Sequence, residues 1–484
     1  LLAKIIIKDE VNIKIEGLDV SVRKKLVSKF KYEIPGARYL PSVRLGRWDG
    51  KVAFFQLGGG TYINLLPEII PILENDGYEF DIVDERQNKK SFNFTKVTEN
   101  SLSHLNWPKG HVKEGQPIVL RDYQPDIINS FFENPQSIQE IATGAGKTII
   151  TAMLSKNIES YGRSIVIVPN KSLVTQTEAD YINLGLDVGV YFGDRKEYNK
   201  THTICTWQSL NNMLKNTKSG EAEVEIGDFI EDVICLIIDE VHMAKADALK
   251  TLLTGVFAHV PIRWGLTGTI PKEDYAKQSI LCSIGDVVGK LSANELQESG
   301  HLANCHVNIV QLQDTVEYKT YQQELKYLTE NAGRIDYISK LIRKTSESGN
   351  TLVLVDRIAT GKLLMERLTD AVFISGTMKA DDRKEEYDEI ATSTGKIIVA
   401  TYGVAAVGIN IPRIFNLVLV EPGKSFVRVI QSIGRGIRKA EDKDHVEIWD
   451  ITSTCKFAKR HLTKRRSFYK DANYPFTTEK VEWQ

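Results

Sequence analysis

The chain has 484 residues, 42% hydrophobic and 26% charged, with a net charge of -1, which describes an ordinary soluble protein of two to four domains. No apolar run approaches the roughly 18 residues that cross a bilayer. Its five cysteines lie far apart with no C-x-x-C pair, which argues against a disulfide framework or a zinc site and for a reducing, cytoplasmic compartment. Leu1 to Asp9 carries lysines and no cleavage-like site, so it reads as a strand and not as a signal peptide. Lys4 to Ile15 alternates apolar and polar residues as strands do, Ser21 to Tyr32 suits a basic helix, Lys51 to Phe55 a strand and Leu65 to Gly77 a helix. Residues 1–115 therefore form a small α+β domain ending in a linker from Asn100 to Pro117. Between Val22 and Lys51 the cations Arg23, Lys24, Lys25, Lys29, Lys31, Arg38, Arg44, Arg47 and Lys51 face only Glu33 and Asp49, with Tyr32, Tyr39 and Trp48 interleaved. That composition fits a surface for a nucleic-acid backbone, and it fits a solvated basic face equally well.

From Ile118 short apolar runs alternate with helical stretches. Strands are expected at Ile138 to Ala142, Ser164 to Val168, Thr203 to Cys205, Val233 to Ile238 and Ile262 to Leu266, the pattern of a parallel sheet covered on both faces. The first strand runs into Thr143-Gly144-Ala145-Gly146-Lys147-Thr148 and then a helical stretch. Strand, glycine loop and helix in that order make a phosphate cradle. Gly144 and Gly146 let backbone N–H groups turn inward, Lys147 reaches the β- and γ-phosphates of a nucleotide, and the Thr148 hydroxyl suits Mg²⁺. Ile141 stands where the full cradle pattern has glycine. The apolar run Val233 to Ile238 delivers Asp239-Glu240-Val241-His242 at a strand end, where ligands bind in open α/β sheets. Asp239 is suited to hold Mg²⁺ through water and Glu240 to activate the attacking water.

The alternation restarts with Val307 to Leu312, Thr351 to Val355, Val372 to Ile374, Lys396 to Val399, Leu417 to Val420 and Val446 to Trp449, and Glu317 to Lys344 reads as a long helical segment. Two tandem α/β domains follow, over residues 116–304 and 305–455. Residues 456–484 remain as a basic C-terminal tail whose cations either contact phosphate or belong to a frayed end. The acidic stretch Glu221 to Asp232 reads as a surface loop.

These motifs, in this order, resemble the superfamily 2 helicases and translocases with a DExH box, from Leu120 to Lys439. The resemblance implies two RecA-like domains. It implies that Arg121, Tyr123 and Gln124 recognise adenine, and that Pro169, Asn170, Lys171, Thr206 and Gln208 contact nucleic acid in the first domain. It further implies that His242, Thr267, Gly268 and Thr269 couple hydrolysis to movement, and that Leu354 to Asp356 and Thr401 to Pro412 grip the backbone, with Gly408 and Gln431 at the nucleotide. Gln431 to Arg438 resembles the last motif of the family. Arg435 and Arg438 lie about one helical turn apart, so one face can present both to the charge that develops on a transferring phosphoryl group. Asn410 stands where the family often has aspartate, which removes one charge.

A narrower resemblance, carried by Arg44-Leu45-Gly46-Arg47-Trp48-Asp49-Gly50-Lys51, by Tyr321 to Glu324 and by Thr401 to Val404, is to phage recombination helicases. It implies a monomeric motor in the host cytoplasm, acting on branched DNA, single-strand/duplex junctions and RNA–DNA hybrids with 3′ to 5′ polarity, and it gives Arg44, Arg47, Trp48 and Lys51 the task of holding DNA. An RNA helicase, a restriction-type translocase motor and a nucleotide-switched annealing or binding protein are the competing readings.

Overall fold

A strand buried on both faces needs an unbroken apolar run, and such runs set this architecture. The computed structural model describes residues 1–484 apart from 88–89, 112, 244–245, 300–303, 375–388, 390–391, 402–412, 424–444 and 472–473. The chain divides into two units, Leu1–Ile141 with Lys147–Lys290, and Ala142–Gly146 with Leu291–Gln484.

The first unit begins with β1 (Leu2–Ile7), β2 (Asn12–Glu16), β3 (Lys31–Glu33), β4 (Lys51–Ala53), β5 (Gly60–Tyr62) and β6 (Glu79–Asp84). Four of these make a sheet in the order β5-β2-β1-β6, and β3 and β4 form a separate antiparallel ribbon. Alternation sends Ala3, Ile5, Ile13 and Ile15 to one face, where they join Leu26, Ile69 and Leu73 from the helices Val20–Lys29 and Leu66–Asn75. This core does not stop at the small domain. It continues into Tyr275 and Cys282 of the helix Asp274–Ser283. The junction is also hydrogen-bonded: Asn12 Nδ2 donates to Thr254 O (2.9 Å), Gln136 Nε2 to Glu10 O (2.7 Å) and Asn64 Nδ2 to Leu281 O (2.9 Å). Ahead of the expected linker, Phe92 and Phe94 pack on Tyr161, and Phe94 also meets Phe132 and Trp264.

The larger sheet of this unit comprises β7 (Gln136–Ile141), β8 (Arg163–Val168), β9 (Val188–Phe192), β10 (Arg195–Lys196), β11 (His202–Thr206), β12 (Val233–Asp239), β13 (Ile262–Thr267) and β14 (Asp286–Leu291), ordered β10-β9-β11-β8-β12-β13-β7-β14. Its central pairs are parallel. β12 and β13 are buried at every position. The C-terminal ends of these central strands consequently lie on one edge of the sheet. Glu221 to Asp232 contains a short helix, Ile226–Phe229, whose Phe229 is buried against Tyr191.

The second unit contains β15 (Asn304–Leu312), β16 (Thr351–Val355), β17 (Val372–Ile374), β18 (Ile397–Thr401), β19 (Asn416–Val420), β20 (His445–Ser453) and β21 (Phe476–Val481), ordered β17-β18-β16-β19-β20-β15-β21 with parallel pairing throughout. The architecture is thus two α/β parallel-sheet domains preceded by a small α+β domain. Glu317 to Lys344 resolves into two helices, Tyr321–Glu330 and Ala332–Ser346, because Asn331 stops the first and caps the second by accepting from Arg334 N (3.0 Å). Residues 456–484, set apart in the sequence as a tail, form the helix Lys456–Asp471 and then β21, which pairs with β15.

Candidate active site

The cradle loop follows β7 directly. Gly144 and Gly146 adopt φ of 94° and 80°, left-handed values that only glycine accepts without strain, and Ala145 N donates to Ala142 O (3.3 Å). The next residues open the helix Lys147–Ile158, in which Thr151 Oγ1 donates to Lys147 O (2.8 Å). Lys147 and Thr148 both stand in its first turn.

Lys147 Nζ is ion-paired with Glu240 Oε1, with side-chain exposures of only 12% and 8%. Glu240 itself sits at φ 51°, a conformation that costs a non-glycine residue energy and clusters at functional sites. Asp239 closes β12, and its Oδ1 accepts from Glu240 N (2.9 Å). His242 follows on the same turn. Its Nδ1 lies 3.3 Å from Glu240 Oε2 and 2.6 Å from Thr267 Oγ1, which in turn donates to Thr269 O (2.9 Å). Burial pushes the His242 imidazole pKa down despite the neighbouring carboxylate. A connected path therefore runs from the cradle lysine through the acidic box to the Thr267-Gly268-Thr269 turn at the end of β13.

On the flank of the site, Gln124 is buried at the start of the helix Gln124–Glu133. Its Oε1 accepts from Arg121 N (2.8 Å), and Arg121 Nη1 donates to the Tyr123 hydroxyl (2.9 Å). Sequence reasoning missed Gln139 of β7, whose Nε2 donates to Ile127 O (2.9 Å) and ties that helix to the cradle strand. A lone glutamine inside an apolar run gives no signal of this.

The residues expected to meet nucleic acid separate into two kinds. Asn170 and Thr206 are helix N-caps, accepting from Leu173 N (3.1 Å) and Ser209 N (3.3 Å); Pro169 is half-buried, and Lys171 and Gln208 are exposed beside the caps. Both capped helices start at the strand-end edge of the sheet, where N-terminal N–H groups suit backbone phosphates. In the small domain Arg44, Arg47 and Lys51 are exposed, whereas Trp48 is half-buried with Nε1 donating to Lys51 O (3.0 Å). In the second unit Thr401 ends β18 and pairs with Val355. Gly408, Asn410, Gln431, Arg435 and Arg438 lie outside the described residues.

Residues 117–272 match the family model for the Type III restriction enzyme res subunit, and residues 333–440 match the helicase conserved C-terminal domain. Together these matches span more than half of the chain, which belongs to the superfamily 2 helicases, ATP-hydrolysing enzymes. Among curated relatives, the ATP-dependent DNA helicase uvsW of Enterobacteria phage T4 is 25% identical over 448 residues, covering 88% of this chain and 86% of that protein. The putative DNA 3'-5' helicase Rad25 of Haloarcula marismortui is 27% identical over 336 residues, 67% of this chain and 51% of the relative. The solved fragment of a putative HsdR subunit of a type I restriction enzyme from Vibrio vulnificus aligns with a TM-score of 0.54 at 18% identity, over 75% of this chain and 68% of that one, a likeness of fold alone.

Proposed function

We propose that the chain is an ATP-driven DNA helicase or translocase that remodels branched DNA, by branch migration, fork regression and removal of RNA from R-loops, moving 3′ to 5′ and acting as a monomer. The observation that carries this reading is the path from Lys147 through Glu240 and His242 to Thr267, together with the similarity to the phage helicase over most of both chains.

Phosphate oxygens compete with Glu240 for the Lys147 ammonium, so ATP binding releases the Glu240 carboxylate to accept a proton from the attacking water. Because His242 touches both Glu240 and Thr267, a shift of the carboxylate is felt at the strand end of β13. Thr148 and Asp239, oxygen donors that suit a hard cation, would hold Mg²⁺, which when bound neutralises charge on the phosphates. Arg435 and Arg438 supply guanidinium groups to the γ-phosphate, with Gly408 and Gln431 at the nucleotide. The capped helix starts at Lys171 and Trp207, with Thr401, hold backbone phosphates, and the exposed Arg44, Arg47 and Lys51 hold duplex arms. In this division residues 1–115 grip DNA while residues 116–304 and 305–455 work as motor domains.

The test compares ATP hydrolysis stimulated by single-stranded DNA, a four-way junction, an R-loop and RNA. The junction and R-loop should stimulate most. Equal or greater stimulation by single-stranded RNA would move the substrate to RNA. Glu240→Gln should hydrolyse ATP at least about a thousandfold more slowly while still binding DNA. Arg438→Ala should also lose remodelling, whereas a protein that used nucleotide only as a switch would keep it.

A further inference from the structure

The helix Lys456–Asp471 has two unlike faces. Ala458, Leu462, Arg465, Phe468 and Tyr469 are buried, and Arg465 clamps the helix to the sheet through a two-point contact with Asp450 (2.8 and 2.9 Å) and a bond to Pro422 O (2.6 Å). The opposite face presents Lys456, Lys459, Arg460, Lys464 and Lys470, all exposed. At 100° per residue these five fall within about 140° of arc along roughly 20 Å of helix. Among the described residues no carboxylate comes within ion-pair distance of any of them.

These charges do not serve the helix that carries them. Lys456 occupies the first turn, where the helix dipole disfavours a cation. The N-terminal N–H groups are met from inside, since Phe457 N and Ala458 N donate to the carboxylate of the buried Glu324 (3.1 and 2.8 Å). Lys456, Arg460 and Lys464 are spaced four apart, so like charges repel along the stripe. A face whose purpose is solubility mixes both signs; from Lys456 to Lys470 this one carries cations and no acid.

Position matters as well. The helix begins three residues after β20 ends at Ser453, on the strand-end edge where Thr401 closes β18 and Val420 closes β19. Lys456 Nζ and Arg460 Cζ lie 5.8 and 5.9 Å from the ring centroid of half-buried Phe457, which places an aromatic ring among the cations.

We infer that the exposed face of Lys456–Asp471 is a second nucleic-acid surface, a phosphodiester track carried by the second unit, and this inference rests on the nucleic-acid reading proposed above. The test is the salt dependence of DNA binding by the full chain and by a variant with Lys456→Gln, Lys459→Gln, Arg460→Gln, Lys464→Gln and Lys470→Gln. Each phosphate contact contributes about 0.7 to 0.9 to the slope of log affinity against log salt, so the steepness of the variant's slope should fall by about 3.5 to 4.5. ATP hydrolysis without DNA and the unfolding midpoint should be unchanged, because the buried face is untouched. A companion variant with arginine replacing the four lysines should keep the parent slope. An unchanged slope in the glutamine variant overturns the track while leaving the DNA reading in place. Absence of salt-dependent binding by the parent chain overturns both.

Discussion

Two clusters of buried charge, one in each large parallel sheet, are built in different ways. In the first, Lys147, Glu240 and His242 cluster at the strand ends with some exposure, and Lys147 is paired with a carboxylate that a phosphate can replace. In the second, Arg334 is fully buried and bonded to Asp314 Oδ2, Glu421 Oε1, Leu328 O and Thr452 O, and Arg465 is fixed to Asp450 and Pro422 in the same manner. One arrangement can exchange partners during a reaction cycle. The other is fixed by several bonds at once and holds helices to strands. Buried cations therefore suit chemistry at one site and architecture at another, and the number of bonds that fix them tells the two apart.

Substitutions can break that contrast. Lys147→Ala should abolish steady-state ATP hydrolysis, a loss of at least about a thousandfold, with little change in unfolding midpoint; a large stability loss would make this pair architectural too. Arg334→Met should do the reverse in the second unit, costing about 3 to 5 kcal/mol by leaving Asp314 and Glu421 buried without their cation, seen as a lowered denaturation midpoint.

Smaller effects sharpen the comparison. Lys250 Nζ lies 3.9 Å from the Phe54 ring centroid, 5.6 Å from Tyr62 and 5.9 Å from Tyr275, so Lys250→Met should cost about 1 kcal/mol in chemical denaturation and Lys250→Arg less. Burial pushes the Glu421 carboxyl up to about 7 in spite of Arg334 beside it. A carboxyl whose folded pKa is raised binds its proton more tightly in the native chain, so its contribution is full below about pH 4.5 and is lost as pH rises through about 7. Denaturation midpoints for the second unit should decline across that window, and Glu421→Gln should flatten the decline.

Much of the central architecture was legible because doubly buried strands are continuous apolar runs: Val233 to Ile238 and Thr351 to Val355 could be read directly. Three edge strands could not, although the apolar edge strand β17 could. β10, β14 and β21 are largely exposed, and pairing of their backbone, which leaves no mark on side-chain chemistry, is what defines them. The loop Thr143 to Thr148 and the Asp239-Glu240 pair stand out in the sequence because a phosphate site would demand particular residue types in a short span. The ion pair across 93 positions between Lys147 and Glu240, the left-handed backbone of Glu240 and the clasp around Lys250 depend on residues distant in sequence or on torsions, so composition and spacing do not reveal them.

The shared core of the small domain and the helix Asp274–Ser283 has a practical corollary. The change of texture near residues 90 to 120 invites a protease, or an experimenter, to cut there. Removing what precedes would uncover Tyr275 and Cys282, now 5% and 0% exposed, and leave Gln136 and Thr254 without their hydrogen-bond partners. The remaining motor should then be recovered as a sticky, aggregating fragment, and limited digestion of the intact chain should release no well-behaved ATPase lacking its first hundred residues.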